Sequence, residues 1–165
     1  MPAGLYAYPM LGTVTDADGI PHPGYHDGTR WYPLGEIQLG YTEVTSPVVV
    51  ATGKTVTVLA VDVTFAGIGQ VCSLLVDLPM VDFTDTSGGE VELSVTLDSV
   101  AHGLAHLHGD RSLGWPARTA RRLPIPGPGT YTFTVAAQSI SGNVTLQADA
   151  DANYGPISAA VTVVG

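Results

Sequence analysis

Residues 90–100 read EVELSVTLDSV, and the order of apolar and polar side chains in this stretch decides the fold class. Val91, Leu93, Val95 and Leu97 share one parity; Glu90, Glu92, Ser94, Thr96 and Asp98 share the other. Successive side chains of an extended chain point to opposite faces, so the spacing lays an apolar row on a core and a polar row in water, as in a half-buried antiparallel strand. Working outward, YTFTV repeats the pattern with Tyr131, Phe133 and Val135 inward, and NVTLQADAD repeats it with Val144, Leu146 and Ala148 inward. VTVLAVDVTF is less regular. Leu59, Val61, Val63 and Phe65 share a parity that Val56 and Val58 do not, which calls for a bulge or for burial on both faces. VCSLLVDLPM sets Cys72, Leu74, Val76 and Leu78 on one face and is expected to stop at Pro79; further strands are expected in IQLGYTEVT, ARRLPI and AAVTVV.

Turn residues punctuate these runs at Thr52-Gly53-Lys54, Gly67-Ile68-Gly69, Ser87-Gly88-Gly89, Pro126-Gly127-Pro128-Gly129, Ser141-Gly142-Asn143 and Gly155-Pro156. From residue 36 onward the expectation is seven to nine short strands with no helical periodicity between them. That pattern makes an all-β, antiparallel two-sheet sandwich of jelly-roll type. Composition agrees: 44 Val, Thr and Ile stand against 17 Arg, Glu, Gln, Met and Lys, the reverse of what a helical chain needs. A chain of 165 residues is one domain with an extension, large enough to bury a core unaided.

Residues 1–35 differ. They hold five of the 12 prolines, four of the seven tyrosines and Trp31, without sustained alternation. We read them as an extended N-terminal arm that attaches to another protein through Tyr6, Tyr8, Tyr25, Trp31 and Tyr32, because disordered tails are poor in aromatics. A loosely ordered tail is the plainer alternative. Residues 36–165 form the sandwich domain.

Charge removes several partners. A formal charge of −9 with one lysine offers little to a phosphate backbone, so no nucleic acid is expected. The lone Cys72 forms no internal disulfide, and its apolar flanks point to a small buried hydrophobe. No apolar run reaches membrane-spanning length and no export signal is visible, so a soluble chain without a membrane partner is expected. With 45% hydrophobic and only 13% charged residues, the surface is poorer in charge than a free-standing monomer needs, and some of it is expected to be covered by other chains.

Leu39-Gly40-Tyr41, Gly129-Thr130-Tyr131-Thr132, and Pro156-Ile157 followed by Val161 and Val163 resemble the small jelly-roll domain common in tail and fibre proteins of actinobacterial phages. The resemblance spans about residues 39–165. It implies a bacteriophage virion structural protein, not an enzyme, which forms a homotrimer and sits on a tail, fibre or capsid surface of the particle. Capsid decoration is an alternative to a minor-tail or fibre position.

The stretch 101–122 departs from that family by being longer, and it carries three of the five histidines and four of the five arginines. His106-Leu107-His108 would put two imidazoles on one face of a strand, and three such pairs on a trimer axis could hold a transition metal. Gly103 and Gly109 nearby argue for a loop instead, and no metal or other cofactor is expected. Arg111, Arg118, Arg121 and Arg122 with Trp115 form a candidate interaction patch. Subunit carboxylates are its favoured partner, host glycan its alternative, and a solvated loop the plain reading. A carbohydrate-binding module using Trp115 is therefore the second functional class.

No catalytic constellation is present: there is no nucleophile elbow, His-Glu-X-X-His motif or phosphate loop. Asp16, Asp18 and Gly19 read as a turn and not a calcium loop. Asp77, Asp82, Asp85, Glu90 and Glu92 supply carboxylates, but nothing in their spacing selects a pair.

Overall fold

The computed structural model describes residues 10–15, 19, 21–26, 31–33, 36–65, 71–84, 88–109, 114–125, 127–149 and 154–164. Tyr6, Tyr8, Arg111, the Asp16–Asp18 turn and the turn at Gly67 lie outside these residues, as do the side chains of Tyr25, Trp31 and Tyr32. Within residues 1–35 the described backbone is extended. Strands β1 (Met10–Thr15), β2 (Pro21–His26) and β3 (Trp31–Pro33) pair antiparallel in the order β1-β2-β3.

Ten strands follow: β4 (Glu36–Val44), β5 (Val48–Val50), β6 (Thr55–Phe65), β7 (Val71–Phe83), β8 (Gly89–Leu97), β9 (Val100–Gly109), β10 (Trp115–Pro124), β11 (Gly129–Ser141), β12 (Val144–Gln147) and β13 (Ile157–Val164). Eight of them make the sandwich. One sheet runs β4-β13-β7-β10 and the other β6-β11-β8-β9. All pairs are antiparallel, and apart from the β8–β9 hairpin each successive long strand crosses to the opposite sheet. This interleaving is a jelly roll. The short β12 continues the β13 edge of β7 and pairs in turn with β5, and these two raise the total above the seven to nine expected.

The alternation read in β8, β11 and β12 is realised. Val91, Leu93, Val95, Leu97, Phe133, Val135, Val144, Leu146 and Ala148 are all buried. In β6 the irregularity is a bulge: Val135 pairs with Leu59 and Ala136 with Thr57, so Val58 is the extra residue and both Val58 and Leu59 reach the core. Phe65 anchors one end of the core, edge-on to Tyr131 with ring centroids 5.9 Å apart and tilted against Phe133 at 6.3 Å.

Three expectations are corrected. β7 does not stop at Pro79 but continues to Phe83. Along one edge it pairs with β13 from Cys72 to Asp77 and with β12 from Met80 to Phe83, so Pro79 occupies the gap between partners, where no N–H is called on. The run 90–100 is not one strand. Asp98 (φ 49°) and Ser99 (φ 65°) are both left-handed and form a two-residue turn closed by the Leu97–Val100 pair, the backbone of a primed hairpin turn. Residues 100–109 are strand β9, not a loop, with Gly103 and Gly109 both inside the ladder.

Gly89 and Gly109 face each other across β8 and β9 and seat the ring of Phe83: a Cβ on Gly89 would lie 2.7 Å from Phe83 Cδ1, and one on Gly109 2.6 Å from Cδ2 and Cε2. The ring covers the bare backbone of both, as aromatics do over strand glycines. Gly40, in the Leu-Gly-Tyr segment of β4, is held similarly tight, since a Cβ there would meet Val63 Cγ2 at 2.6 Å.

Candidate functional site

The His- and Arg-bearing segment forms the free edges of both sheets. β9 is the edge of one sheet, β10 the edge of the other, and residues 110–113 connect them. An open strand edge exposes unpaired carbonyls and amides that invite another strand. Here side chains of β10 occupy two of them: Thr119 Oγ1 donates to Leu104 O (3.0 Å) and Arg121 Nη1 donates to Gly103 O (2.7 Å).

Strand geometry divides the arginine cluster. Ala117, Thr119, Arg121 and Leu123 pair with Leu78, Val76, Leu74 and Cys72, all buried, and so face the opposite sheet. Arg118 and Arg122 pair with Asp77 and Ser73 on the outer face. Arg118 Nε lies 4.0 Å from Asp77 Oδ2 in an exposed pair, worth little in water. Arg121 is committed to the β9 backbone. Arg118 and Arg122 thus share a face, while Arg121 and Trp115 do other things.

A second bulge sorts the histidines. Leu93 pairs with Ala105 but Ser94 with Gly103, so Leu104 is inserted and the parity of β9 changes there. His102 pairs with buried Val95 and turns inward; His106 and His108 pair with Glu92 and Glu90 on the outer face. Glu90 lies between the two outer rings, 3.7 Å from His106 Nε2 and 3.5 Å from His108 Nδ1. Among the described residues no group of three or more His, Cys, Asp and Glu is arranged to hold a metal ion.

The carboxylates scatter as well. Asp77 and Asp82 lie on the outer face of the first sheet, Glu90 and Glu92 on that of the second. Tyr41, half exposed, donates its hydroxyl to Glu43 Oε2 at 2.8 Å. That bond, with burial and the charge of Glu43 adding, holds the phenol above its ordinary pKa. Cys72 is fully buried, its Sγ–H 3.5 Å from Leu123 O, and desolvation pushes the thiol up to about 11.

What the fold does bring together is a cleft of about 280 Å³ at this edge. β9 contributes His106, Leu107 and His108, β10 contributes Trp115, Pro116 and Ala117, and Val81 and Phe83 of β7 form its floor. Trp115 is 52% exposed, so much of its indole surface is open to a ligand. The participation of Val81 and Phe83 had no signal in the sequence, since they belong to β7 and are separated from the His-bearing strand by the whole of β8.

Among the described residues no helix is long and apolar enough to cross a membrane. No family model matches this chain, and no curated protein matches it in sequence. Among solved structures it is similar to the Eiger TNF of S. frugiperda, with a TM-score of 0.45, 10% identity, and coverage of 79% of this chain and 94% of that one. It is also similar to the C-terminal CBM6 of LamC from Zobellia galactanivorans (TM-score 0.31, 15% identity, 91% and 87% covered). A third likeness is to the infectious bursal disease virus Gx strain structure (TM-score 0.36, 11% identity), where the match spans 88% of this chain and 40% of the other. These are likenesses of fold, and the strand order makes this chain an all-β jelly-roll sandwich in its own right.

Proposed function

We propose that this chain is a non-catalytic structural protein of a bacteriophage particle, on a tail or fibre, which assembles as a homotrimer through its sheet faces and attaches through residues 1–35. The supporting observation is the outer face of the β6-β11-β8-β9 sheet. Two neighbouring rows cross all four strands there, Thr57-Ala136-Ser94-Gly103 and Ala60-Thr134-Thr96-Ala101. Neither row contains a charge or a side chain larger than threonine. A flat neutral surface of this kind accepts a second protein surface with little desolvation of charge, and it is the local form of the low charge content of the whole chain. The resemblance of Leu39-Gly40-Tyr41 and the other segments to phage tail and fibre domains supplies the biological setting.

Sedimentation of the full chain at micromolar concentration is expected to give three times the monomer mass, and Ser94→Lys with Thr134→Lys is expected to give monomers. A wild-type monomer overturns the trimer. Particle incorporation that is undiminished after deletion of residues 1–35 overturns the attachment role.

A further inference from the structure

We infer that the cleft between β9 and β10 is a binding site for a single neutral sugar ring, stacked on Trp115 with its hydroxyls directed to His106 and His108. This goes beyond the assembly reading and does not depend on it.

The lining sets the ligand class. Among the described residues it contains no Lys, Arg, Asp or Glu, and the neighbouring carboxylate, Glu90, is taken up between His106 and His108, so the described lining itself offers neither an anion nor a cation a fixed counter-charge. Two described arginines of β10 are directed elsewhere: Arg121 onto Gly103 O, and Arg118 toward Asp77 on the outer face of the other sheet. A purely apolar ligand would make no use of the indole N–H or of the imidazole nitrogens turned away from Glu90. The remaining class presents an apolar face and a polar rim together, which is the character of a pyranose. Its C–H face matches an indole, and its hydroxyls match ring nitrogens. Glu90 sits beside Nε2 of His106 and Nδ1 of His108, so the opposite nitrogen of each ring is the one left for a ligand. The size agrees: about 280 Å³ falls just under the roughly 300 Å³ at which drug-sized sites begin, room for one ring and not for a buried chain. The floor is firm, because Phe83 is locked on Gly89 and Gly109, so little ordering is needed on binding.

The test titrates the full-length chain with neutral monosaccharides (glucose, galactose, mannose, N-acetylglucosamine). Tryptophan fluorescence is read in a Trp31→Phe background, so that Trp115 alone reports, and saturation-transfer NMR is read on the sugar. A ring of about a dozen heavy atoms on an open site is expected to bind with a Kd of order 1–10 mM. Trp115→Ala is expected to weaken binding at least about tenfold and His106→Ala with His108→Ala several-fold, whereas Arg118→Ala leaves it unchanged. Unaltered thermal unfolding of each variant separates loss of binding from loss of fold. Absence of saturable binding by every sugar overturns the proposal. So does binding that survives Trp115→Ala, or a cleft that takes proline-rich peptide and no sugar.

Discussion

Adding one methyl group at each of three glycines in the β8–β9 hairpin separates packing from backbone entropy. All three are strand residues, but only two touch Phe83. The Cβ of Gly109→Ala would sit 2.6 Å from two ring carbons of a side chain only 1% exposed, and that of Gly89→Ala 2.7 Å from a third with Ser141 O at 3.1 Å. Carbon pairs prefer about 3.5–4.0 Å, so the overlap is near 1 Å. Phe83 cannot yield without disturbing the core, and overpacking of this kind costs about 1–3 kcal/mol. Restricting the unfolded chain returns about 0.4–1 kcal/mol, leaving Gly109→Ala about 1–2 kcal/mol less stable than wild type. Gly103→Ala has nothing within 4 Å of its new carbon and keeps only the entropic gain. At roughly 2–4 °C per kcal/mol for a domain of this size, differential scanning calorimetry at one fixed protein concentration is expected to show Gly109→Ala falling by about 2–8 °C and Gly103→Ala rising by about 1–4 °C. Trimming the ring with Phe83→Leu relieves the clash, so a double-mutant cycle is expected to return at least about 1 kcal/mol of coupling with Gly109→Ala and none with Gly103→Ala. Equal melting shifts for the two glycine variants, or zero coupling at Gly109, would refute the reasoning.

Other consequences follow from single groups. Ser99 holds φ at 65° without being glycine, so Ser99→Gly is expected to raise stability by about 1 kcal/mol in urea unfolding; a loss would contradict the turn assignment. Arg121→Ala frees the Gly103 carbonyl and is expected to cost about 1 kcal/mol, while Arg122→Ala, which makes no such bond among the described residues, stays within about 0.5 kcal/mol. The thiol of Cys72 ionises at about 11 in the fold against 9.0 for the free group. The folded state therefore keeps the proton longer, and the stability this confers is complete below pH 9 and declines as pH rises from there through 11. Unfolding titrations across that window are expected to lose up to about 2–3 kcal/mol in the wild type and visibly less in Cys72→Ala. Asn143 Oδ1 accepts from Thr52 N at 3.0 Å, and its backbone O accepts from Thr84 N at 3.0 Å. Asn143→Ala removes the first bond and is expected to cost about 1–2 kcal/mol, whereas Asn143→Asp, which retains the acceptor, recovers most of it.

The legible parts of the fold are those where one sheet face is wet. β8, β11 and β12 alternate because their polar residues meet water, and parity alone assigns their core faces. Legibility failed where two partners or two conformations meet in one strand. Pro79 looked like a terminus because a proline ends a ladder, yet β7 exchanges β13 for β12 at that residue. Asp98-Ser99 carried only a weak turn signal, because Asp tolerates left-handed backbone but serine stands where a hairpin turn of this kind prefers glycine. Gly103 and Gly109 read as loop residues because glycine is poor in strands, but Gly109 is there to seat an aromatic ring contributed by residue 83. For the candidate site the sequence marked a segment that borders the cleft but not how strand alternation divides it. Four arginines close in sequence look like one patch until strand alternation sends Arg121 inward and Arg118 and Arg122 outward. The inserted Leu104, invisible to any period-two reading, turns His102 away from His106 and His108.

Phe83 belongs to both the interior and the surface of this molecule. Both sides of its ring are held by the glycine pair at the end of the β8–β9 ladder, Cδ1 by Gly89 and Cδ2 by Gly109, and the ring also lines the cleft together with Trp115. Stability and recognition are therefore not independent traits here. A substitution that loosens the glycine seat tilts the surface against which a ligand rests, and one that enlarges the cleft by shortening this side chain leaves two glycines uncovered. Variation at positions 83, 89 and 109 has to occur in concert, whereas Trp115, His106 and His108 at the rim are free to change singly, so new specificities can arise at the rim while the floor stays constant.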